Sequence, residues 1–326
     1  MHALRSRLPS LSLPQPVGLP AVGLPAVSLC AAGLLAVSLL AGCRSGGPAD
    51  DSVGSDSADS VDSAYTGPQP PALTALSNGE CPDFSSPGSS KFMSHDEERK
   101  VIAYWPAARP EGMPVVFVWH PLGSSARDMS NWLDLEGYAD QVGALVLVPD
   151  ALSSNPYEWD FWNDGEDDPT LYDDLRTCAA QEFNVNLKKV SSTGMSAGAL
   201  WTTWLAIHRG DTLATVLPFS GGTEPVIQYS SPEGDFPVLL DYGGDTDQYT
   251  GGGGTVDFQQ TTTQFASELY ADGHEVVLCN HNLGHTLPPT SRQQMDAWLT
   301  AQTWGEPNSV AMSALPAYCV AYSGAR

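Results

Sequence analysis

The sequence predicts an α/β fold in which a mostly parallel central sheet carries helices on both faces. Short apolar runs without alternation are typical of strands buried on both faces, and stretches of helical spacing separate these runs. Strands that alternate with helices favour parallel pairing through crossover connections. Strands are expected at 100–105, 115–120, 144–150, 190–193, 214–219, 236–242 and 275–278, and helices at 127–141, 171–183, 199–207, 258–270 and 292–303.

The strand at 190–193 leads into the pentapeptide Gly194-Met195-Ser196-Ala197-Gly198, which a helix follows. This strand–turn–helix context is the one that a G-x-S-x-G nucleophile elbow requires, with the serine hydroxyl at the sheet edge and the helix N-terminus beneath it. Glycines on either side of the turn remove side chains that would collide with neighbouring backbone. The pentapeptide alone could equally form an ordinary tight turn, so the other motifs decide its interpretation.

Two later strand ends carry the groups that a serine nucleophile requires. Asp245 and Asp247 follow the sixth predicted strand, and His285 follows the seventh. The carboxyl ends of parallel strands lie at one edge of a sheet, so these side chains are expected near Ser196. A serine hydroxyl is a weak nucleophile near neutral pH and needs an imidazole base whose tautomer a carboxylate fixes. Ser196, His285 and one of the two aspartates are therefore the candidate catalytic residues.

The loop after the strand at 115–120 is the candidate second half of an oxyanion hole. Backbone N–H groups in this loop could face the same point as the Ala197 N–H, which is the arrangement that stabilises a tetrahedral oxyanion. Pro121 has no N–H, so Leu122 is the expected donor. His120 is expected to brace the loop rather than to take part in catalysis.

Together these motifs resemble the polyhydroxybutyrate depolymerase-like and feruloyl or acetylxylan esterase-like α/β-hydrolases. Residues 185–198 are similar to the family block that ends in G-x-S-A-G, residues 244–247 to its H-G-x-x-D block, and residues 284–288 to its G-H-x-W-P block. The resemblance covers roughly residues 95–305. It implies an α/β-hydrolase fold in a single catalytic domain, expected over residues 81–326.

The resemblance also implies an activity and assigns the acid. An exported serine esterase without a cofactor is expected, acting on short-chain, aryl or feruloyl, or polyhydroxyalkanoate-type esters. The family pattern places the triad acid at Asp247, three residues after Gly244, and leaves Asp245 to shape the loop. Two other interpretations remain open: a serine peptidase or thioesterase of the same fold, and a non-catalytic binding lipoprotein that keeps the fold.

An aromatic stretch follows the strand at 144–150. Trp159, Phe161 and Trp162 alternate with polar residues and are the candidate substrate-binding side chains, since exposed aromatic rings stack on aryl groups and sugars. The alternative is that these rings anchor a long loop to the core. The acidic run at 164–168 is expected to be a solvated loop rather than a calcium site, and no metal site is predicted. The glycine run at 251–254 predicts a mobile flap or a long turn.

The N-terminal segment predicts export. A basic start is followed by an apolar run at 26–40 and by Leu40-Ala41-Gly42-Cys43, which resembles a bacterial lipobox. Residues 1–42 are the expected signal peptide, and Cys43 is the expected lipidation site and membrane anchor; an ordinary signal with a chance cysteine is the alternative. Arg44 after the cysteine favours the outer membrane of the cell envelope. Residues 43–80, rich in Ser, Asp, Gly and Pro, predict a disordered tether.

Charge and cysteine content fit this location. The formal net charge of −24 argues against nucleic-acid binding and favours a soluble domain acting on neutral substrates. Four cysteines after Cys43 suggest two disulfides in an exported protein, and their spacing matches no zinc motif. Of the three possible pairings, the sequence favours Cys81 with Cys178 and Cys279 with Cys319.

Overall fold

The computed structural model describes residues 68–153, 155, 158–162, 165–251 and 254–324. The predicted signal peptide, the lipidation site at Cys43 and the first part of the predicted tether lie outside these residues. The described part contains the strands β1 (Gly88–Ser94), β2 (Glu97–Tyr104), β3 (Val115–Trp119), β4 (Leu145–Pro149), β5 (Val190–Met195), β6 (Thr215–Phe219), β7 (Val238–Tyr242), β8 (Gln248–Gly251), β9 (Gly254–Asp257), β10 (Val276–Asn280) and β11 (Cys319–Ala321).

Nine of these strands form one sheet in the order β1-β2-β4-β3-β5-β6-β7-β10-β11, and β8 and β9 form a separate hairpin. Neighbouring strands from β4 to β10 in this order are parallel, whereas β1, β2 and β11 join antiparallel at the two edges. The carboxyl ends of the parallel strands therefore lie at one edge of the sheet, as the sequence predicts.

Helices cover both faces of this sheet: α1 (Ala126–Leu133), α2 (Leu135–Val142), α3 (Asp167–Phe183), α4 (Ala197–His208), α5 (Phe258–Ala271) and α6 (Ser291–Trp298). Alternate residues of β3 enter opposite layers of the core. Phe117 and Trp119 pack with residues of α3, α4 and α5, while Val116 and Val118 pack with residues of α1, α2 and α6. This two-sided burial explains why the parallel strands are continuous apolar runs.

Some predicted elements differ from the observed ones. The single helix expected at 127–141 is two helices, because Asp134 adopts a left-handed conformation with φ 47° that ends α1. The guanidinium of Arg292 donates to the carbonyl oxygens of Leu133 and Asp134, both at 3.0 Å, and stabilises this break. The glycine run is part of the β8–β9 hairpin, with Gly252 and Gly253 outside the described residues.

The predicted tether is wrong in its last part, because residues from Pro71 onward contact α3. Arg176 donates to the carbonyl oxygen of Pro71 at 2.9 Å, Thr177 donates to that of Thr74 at 3.0 Å, and Ser77 N–H donates to Asp174 at 2.9 Å. The polar side chains of α3 are buried here and need partners, which this segment supplies.

Two disulfides join the cysteine pairs that the sequence favours. Cys81 and Cys178 link the segment before β1 to α3, and Cys279 and Cys319 link directly paired residues of β10 and β11. Disulfides of this kind are typical of proteins that fold outside the reducing cytosol. Within the described residues, no helix combines the length and the apolar character that crossing a membrane would require.

Candidate active site

Ser196 lies at a sharp turn between β5 and α4. Its backbone has φ 55° and ψ −116°, a conformation that non-glycine residues rarely adopt and that is typical of strained functional turns. A Cβ atom at Gly194 would collide with the carbonyl oxygen of Gly198, and one at Gly198 would collide with that of Trp119. Both glycines are therefore required by close backbone approach, as the elbow motif predicts.

The imidazole of His285 lies between a hydroxyl and a carboxylate. Its Nδ1 is 2.7 Å from Asp247 Oδ1, and its Nε2 is 2.9 Å from Ser196 Oγ. A carboxylate can only accept, so Nδ1 carries the proton and Nε2 accepts from the serine hydroxyl. Asp247 is fully buried beside this histidine, whereas Asp245 is exposed. The arrangement is the one that a general base for Ser196 requires.

Two further donors hold the Asp247 carboxylate. Its Oδ2 accepts from the Ser220 hydroxyl at 2.8 Å and from the Gly243 N–H at 2.7 Å. Ser220 is buried at the end of β6 and has a left-handed φ of 59°. Ser220 is absent from the residues predicted for the site, and a serine directly before two glycines at a parallel strand end is the sequence signal that marks it. These bonds leave Oδ1 oriented toward His285.

The ring of His285 is also held by stacking. Its plane lies 10° from that of Phe258, with the ring centroids 4.6 Å apart. Phe258 is buried at the start of α5, and the β8–β9 hairpin just before it places Tyr249 beside the same imidazole. Stacking of this kind restricts rotation of the ring, so both nitrogens keep their partners.

A second buried carboxyl group lies behind this site. Asp241, in β7, is fully buried and accepts from Gln294 Nε2 at 2.6 Å. Burial raises the pKa of Asp241 well above its usual range, and the nearby Asp247 charge adds to the effect. His281 Nε2 lies 3.4 Å from the other carboxyl oxygen, and burial lowers the pKa of this histidine. The pair Asp241 and His281 has the same residue types as the pair Asp247 and His285, so residue type alone cannot tell which pair belongs to the triad.

The predicted oxyanion donors lie at the same cleft as the serine. Leu122, Ala197 and Ser196 all line it. His120 is buried, and its Nε2 accepts from the Ala151 N–H at 3.1 Å, which joins this loop to the one after β4. His120 therefore braces the loop, in agreement with the structural role expected from the sequence.

The aromatic stretch divides between core and cleft. Trp159 is fully buried, donates from Nε1 to the carbonyl oxygen of His120 at 2.9 Å and packs edge-on against Trp119. Its prediction as a substrate-binding residue is therefore wrong, because its ring is enclosed by the core and absent from the cleft wall. Phe161 and Trp162 do line the cleft, and Trp162 is 47% exposed. Asp164, in the acidic run, lies outside the described residues.

The cleft around Ser196 has a volume of about 1390 Å³. Apolar side chains dominate its walls, and Trp132 on its rim is 57% exposed. Its lining comes from the aromatic stretch, the β8–β9 hairpin, the α1–α2 corner and the loop after His285. The apolar side chains that line the cleft include Phe161, Trp162, Val226, Tyr249, Val256, Trp132, Leu133, Leu287 and Pro288.

A central parallel sheet, a serine at the elbow after β5, and an acid and a histidine in later strand-end loops define the α/β-hydrolase fold. The chain has this fold. Solved structures with a similar fold include a variant of pOPH with dimethyl sulfoxide, 17% identical, with a TM-score of 0.63 over 75% of this chain and 96% of that one. Native sOPH is 15% identical, with a TM-score of 0.58 over 73% and 94%.

Sequence comparison adds one curated relative. A protein of Nocardia uniformis subsp. tsuyamanensis, provisionally named esterase NocK, is 29% identical over 144 residues. The match spans 42% of this chain and 41% of that protein, which is about two fifths of the relative's length. No family model matches the chain. The expected resemblance to α/β-hydrolases is thus confirmed at the level of the fold.

Proposed function

We propose that the protein is an exported serine esterase that hydrolyses carboxylic esters through an acyl-enzyme. The observation that carries the proposal is the position of His285, within hydrogen-bond distance of both Ser196 Oγ and Asp247. A hydroxyl, an imidazole and a buried carboxylate in this order are the parts that nucleophilic acyl transfer needs. The provisional name of the relative from Nocardia agrees with this activity.

The proposed reaction follows from these contacts. Ser196 Oγ attacks the ester carbonyl carbon while His285 Nε2 takes the hydroxyl proton, and Asp247 stabilises the imidazolium that forms. The N–H groups of Leu122 and Ala197 donate to the oxyanion. Collapse expels the alcohol, which receives its proton from His285. Water, deprotonated by the same imidazole, then attacks the acyl-enzyme and releases the carboxylic acid and free Ser196.

The cleft supports an apolar or aromatic ester as substrate. Its volume of about 1390 Å³ lies above the range of many small-ligand pockets, and Phe161 and Trp162 offer aromatic surface beside the nucleophile. Short-chain, aryl or feruloyl, and polyhydroxyalkanoate-type esters remain the proposed substrates. The two disulfides support export, and the lipobox-like segment before Cys43 supports a lipid anchor in the cell envelope.

Covalent labelling and a substrate panel test this function. A fluorophosphonate probe is expected to label the wild type and not Ser196→Ala, and that variant should lose on the order of 10⁴–10⁶ in kcat. The panel compares 4-nitrophenyl acetate, methyl ferulate, a thioester and a peptide amide. Faster hydrolysis of the two oxygen esters is the expected result. Preference for the thioester or the amide would favour a thioesterase or a peptidase, and an unlabelled, inactive protein would favour a binding role.

A further inference from the structure

The backbone donors of the loop after β3 do not all face the cleft. Pro121 has no N–H, and the Ser124 N–H donates to the Pro121 carbonyl oxygen at 3.2 Å. The Gly123 N–H donates to Glu158 Oε1 at 2.6 Å. Leu122, which lies between them on the cleft wall, is the remaining residue of 121–124 whose N–H can serve the oxyanion. Because Glu158 binds the Gly123 N–H, the Leu122 N–H is left to donate to the oxyanion.

Within the described residues, Oε1 is the carboxylate oxygen of Glu158 that accepts a hydrogen bond. Its Oε2 is buried and lies 3.0 Å from His120 Nδ1. Since His120 Nε2 accepts from the Ala151 N–H, the ring proton is on Nδ1, where Pro121 O and Glu158 Oε2 both lie at 3.0 Å. The carboxylate is therefore held by the Gly123 N–H, whereas the imidazole proton is donated to the Pro121 carbonyl oxygen and Oε2 accepts no hydrogen bond from the described residues.

The backbone at both ends of this contact is unusual. Glu158 has φ 69°, a left-handed conformation that non-glycine residues rarely adopt. Gly123 has φ 76°, and a Cβ there would meet no atom within 4 Å, so the glycine serves conformation rather than close packing. Strain of this kind persists where surrounding contacts impose it, and here buried Trp159 fixes the next residue through its bond to His120.

We propose that Glu158 is a positioning residue for the oxyanion hole. By binding the Gly123 N–H, it fixes the peptide between Leu122 and Gly123 and so restricts the direction of the adjacent Leu122 N–H. Glu158 touches neither Ser196 nor, in the proposed reaction, the substrate. The proposal rests on the proposed esterase function, and it gives the acidic residue of the aromatic stretch a role that its sequence position did not reveal.

Three substitutions at Glu158 separate the effect of side-chain length from the effect of charge. Glu158→Gln keeps the length and an oxygen that can accept from Gly123, Glu158→Asp keeps the charge but is one methylene shorter, and Glu158→Ala removes both. The matched control is Glu166→Gln, an exposed carboxylate further along the same stretch. For each variant we would measure kcat and KM on 4-nitrophenyl acetate and the affinity for a trifluoromethyl ketone, whose serine adduct carries an oxyanion.

Alanine and aspartate at 158 are expected to lower kcat about 10- to 100-fold with KM within threefold, less than the 10²–10³ that deletion of a donor costs. Ketone affinity should fall by a similar factor. Glutamine should retain most of both, and Glu166→Gln should match the wild type. If Glu158→Ala does not fold, as judged by its thermal transition, the test is the comparison of the other two variants. Glu158→Gln should then have a higher kcat and a higher ketone affinity than Glu158→Asp.

Three results would each overturn the proposal while leaving the esterase function intact. One is an active wild type whose Glu158→Ala or Glu158→Asp variant keeps kcat within twofold. Another is a loss of kcat without a matching loss of ketone affinity, and the third is a glutamine variant no better than aspartate. A wild type that neither hydrolyses an ester nor binds the ketone would instead refute the proposed function, and with it the role of Glu158.

Discussion

Asp247 is tightly constrained for a carboxylate at the edge of an open cleft. It is fully buried and accepts from His285, Ser220 and Gly243, so both oxygens are occupied. Donors on both oxygens fix the orientation of this carboxylate. The roles of its three partners can be separated by substitution, because each contact reaches the carboxylate from a different element.

Asparagine at Asp247 is expected to lower kcat by roughly 10⁴, because an amide at this position favours the wrong imidazole tautomer. Asparagine at the exposed Asp245 should leave kcat within about twofold, since a turn residue can still accept a backbone bond. Hydrolysis of 4-nitrophenyl acetate at about pH 8 measures both effects. The reverse order of effects would assign the acid to Asp245.

Alanine at Ser220 is expected to lower kcat about tenfold with little change in KM, because a charge-assisted bond to Asp247 is lost and the carboxylate can rotate away from His285. Steady-state kinetics on the same ester measure the change. The exposed Ser230 provides a control, since Ser230→Ala removes a hydroxyl from the same region without touching the site. Equal kcat values for the two variants would show that Ser220 does not orient the acid.

Asp241 predicts a dependence of stability on pH. Because burial raises its pKa in the folded chain, the folded state binds this proton more tightly than the unfolded state does. Its contribution is full below the unfolded pKa near 3.8 and is lost as pH rises through the folded value. The Tm of the wild type should therefore fall relative to that of Asp241→Asn between about pH 4 and pH 8. Parallel curves in calorimetry would contradict this.

At the level of elements, the aromatic stretch between β4 and α3 joins the core to the cleft. Asp160 N–H donates to buried Asp168 at 2.8 Å, and Arg99 of β2 donates to the same carboxylate at 2.6 Å. Trp159 lies on the inner side of this anchored stretch and Trp162 on the cleft side. Trp159 is therefore a core residue and Trp162 a cleft residue, although only two residues separate them.

Alanine at Trp159 is expected to destabilise the fold by about 3–5 kcal/mol, the usual cost of removing a buried large aromatic ring. Alanine at the half-exposed Trp162 should change stability by less than about 1 kcal/mol and raise KM for methyl ferulate more than for 4-nitrophenyl acetate. Chemical denaturation and steady-state kinetics separate these effects. A Trp162 variant with unchanged KM for both esters would remove it from the substrate wall.

The sequence predicts the elements that local pattern determines. Apolar runs identify the parallel strands, and the elbow motif with its following strand ends identifies Ser196 and His285. Other features cannot be predicted from local sequence pattern and are evident only in the folded structure. Edge strand β1 carries no continuous apolar run, and β11 has only three residues. The break between α1 and α2 depends on Arg292, more than 150 residues away. Aromatic composition likewise cannot tell which ring faces the core, as the buried Trp159 illustrates.

At the level of the whole molecule, the expected signal peptide and the lipobox-like segment before Cys43 predict a lipid-anchored protein. Cys43 is expected to be the diacylated N-terminus of the mature chain, because acyl chains bind a membrane more firmly than an acidic tether can. Mass spectrometry of the membrane fraction measures this modification. The control Cys43→Ser should appear in the soluble fraction with unchanged ester hydrolysis. An unmodified N-terminus at or beyond Cys43 in the wild type would refute the anchor.

Under that anchoring, the disulfide between Cys81 and Cys178 decides where mechanical load enters the domain. A pull toward the membrane would first meet the hydrogen bonds that Pro71 and Ser77 make with α3, and then a covalent link to the same helix. Force applied instead at Gly88 would peel the edge strand β1 from β2 one residue pair at a time. With such an anchor, the link would shield this ladder, and the load would pass into a helix packed in the core rather than into β1.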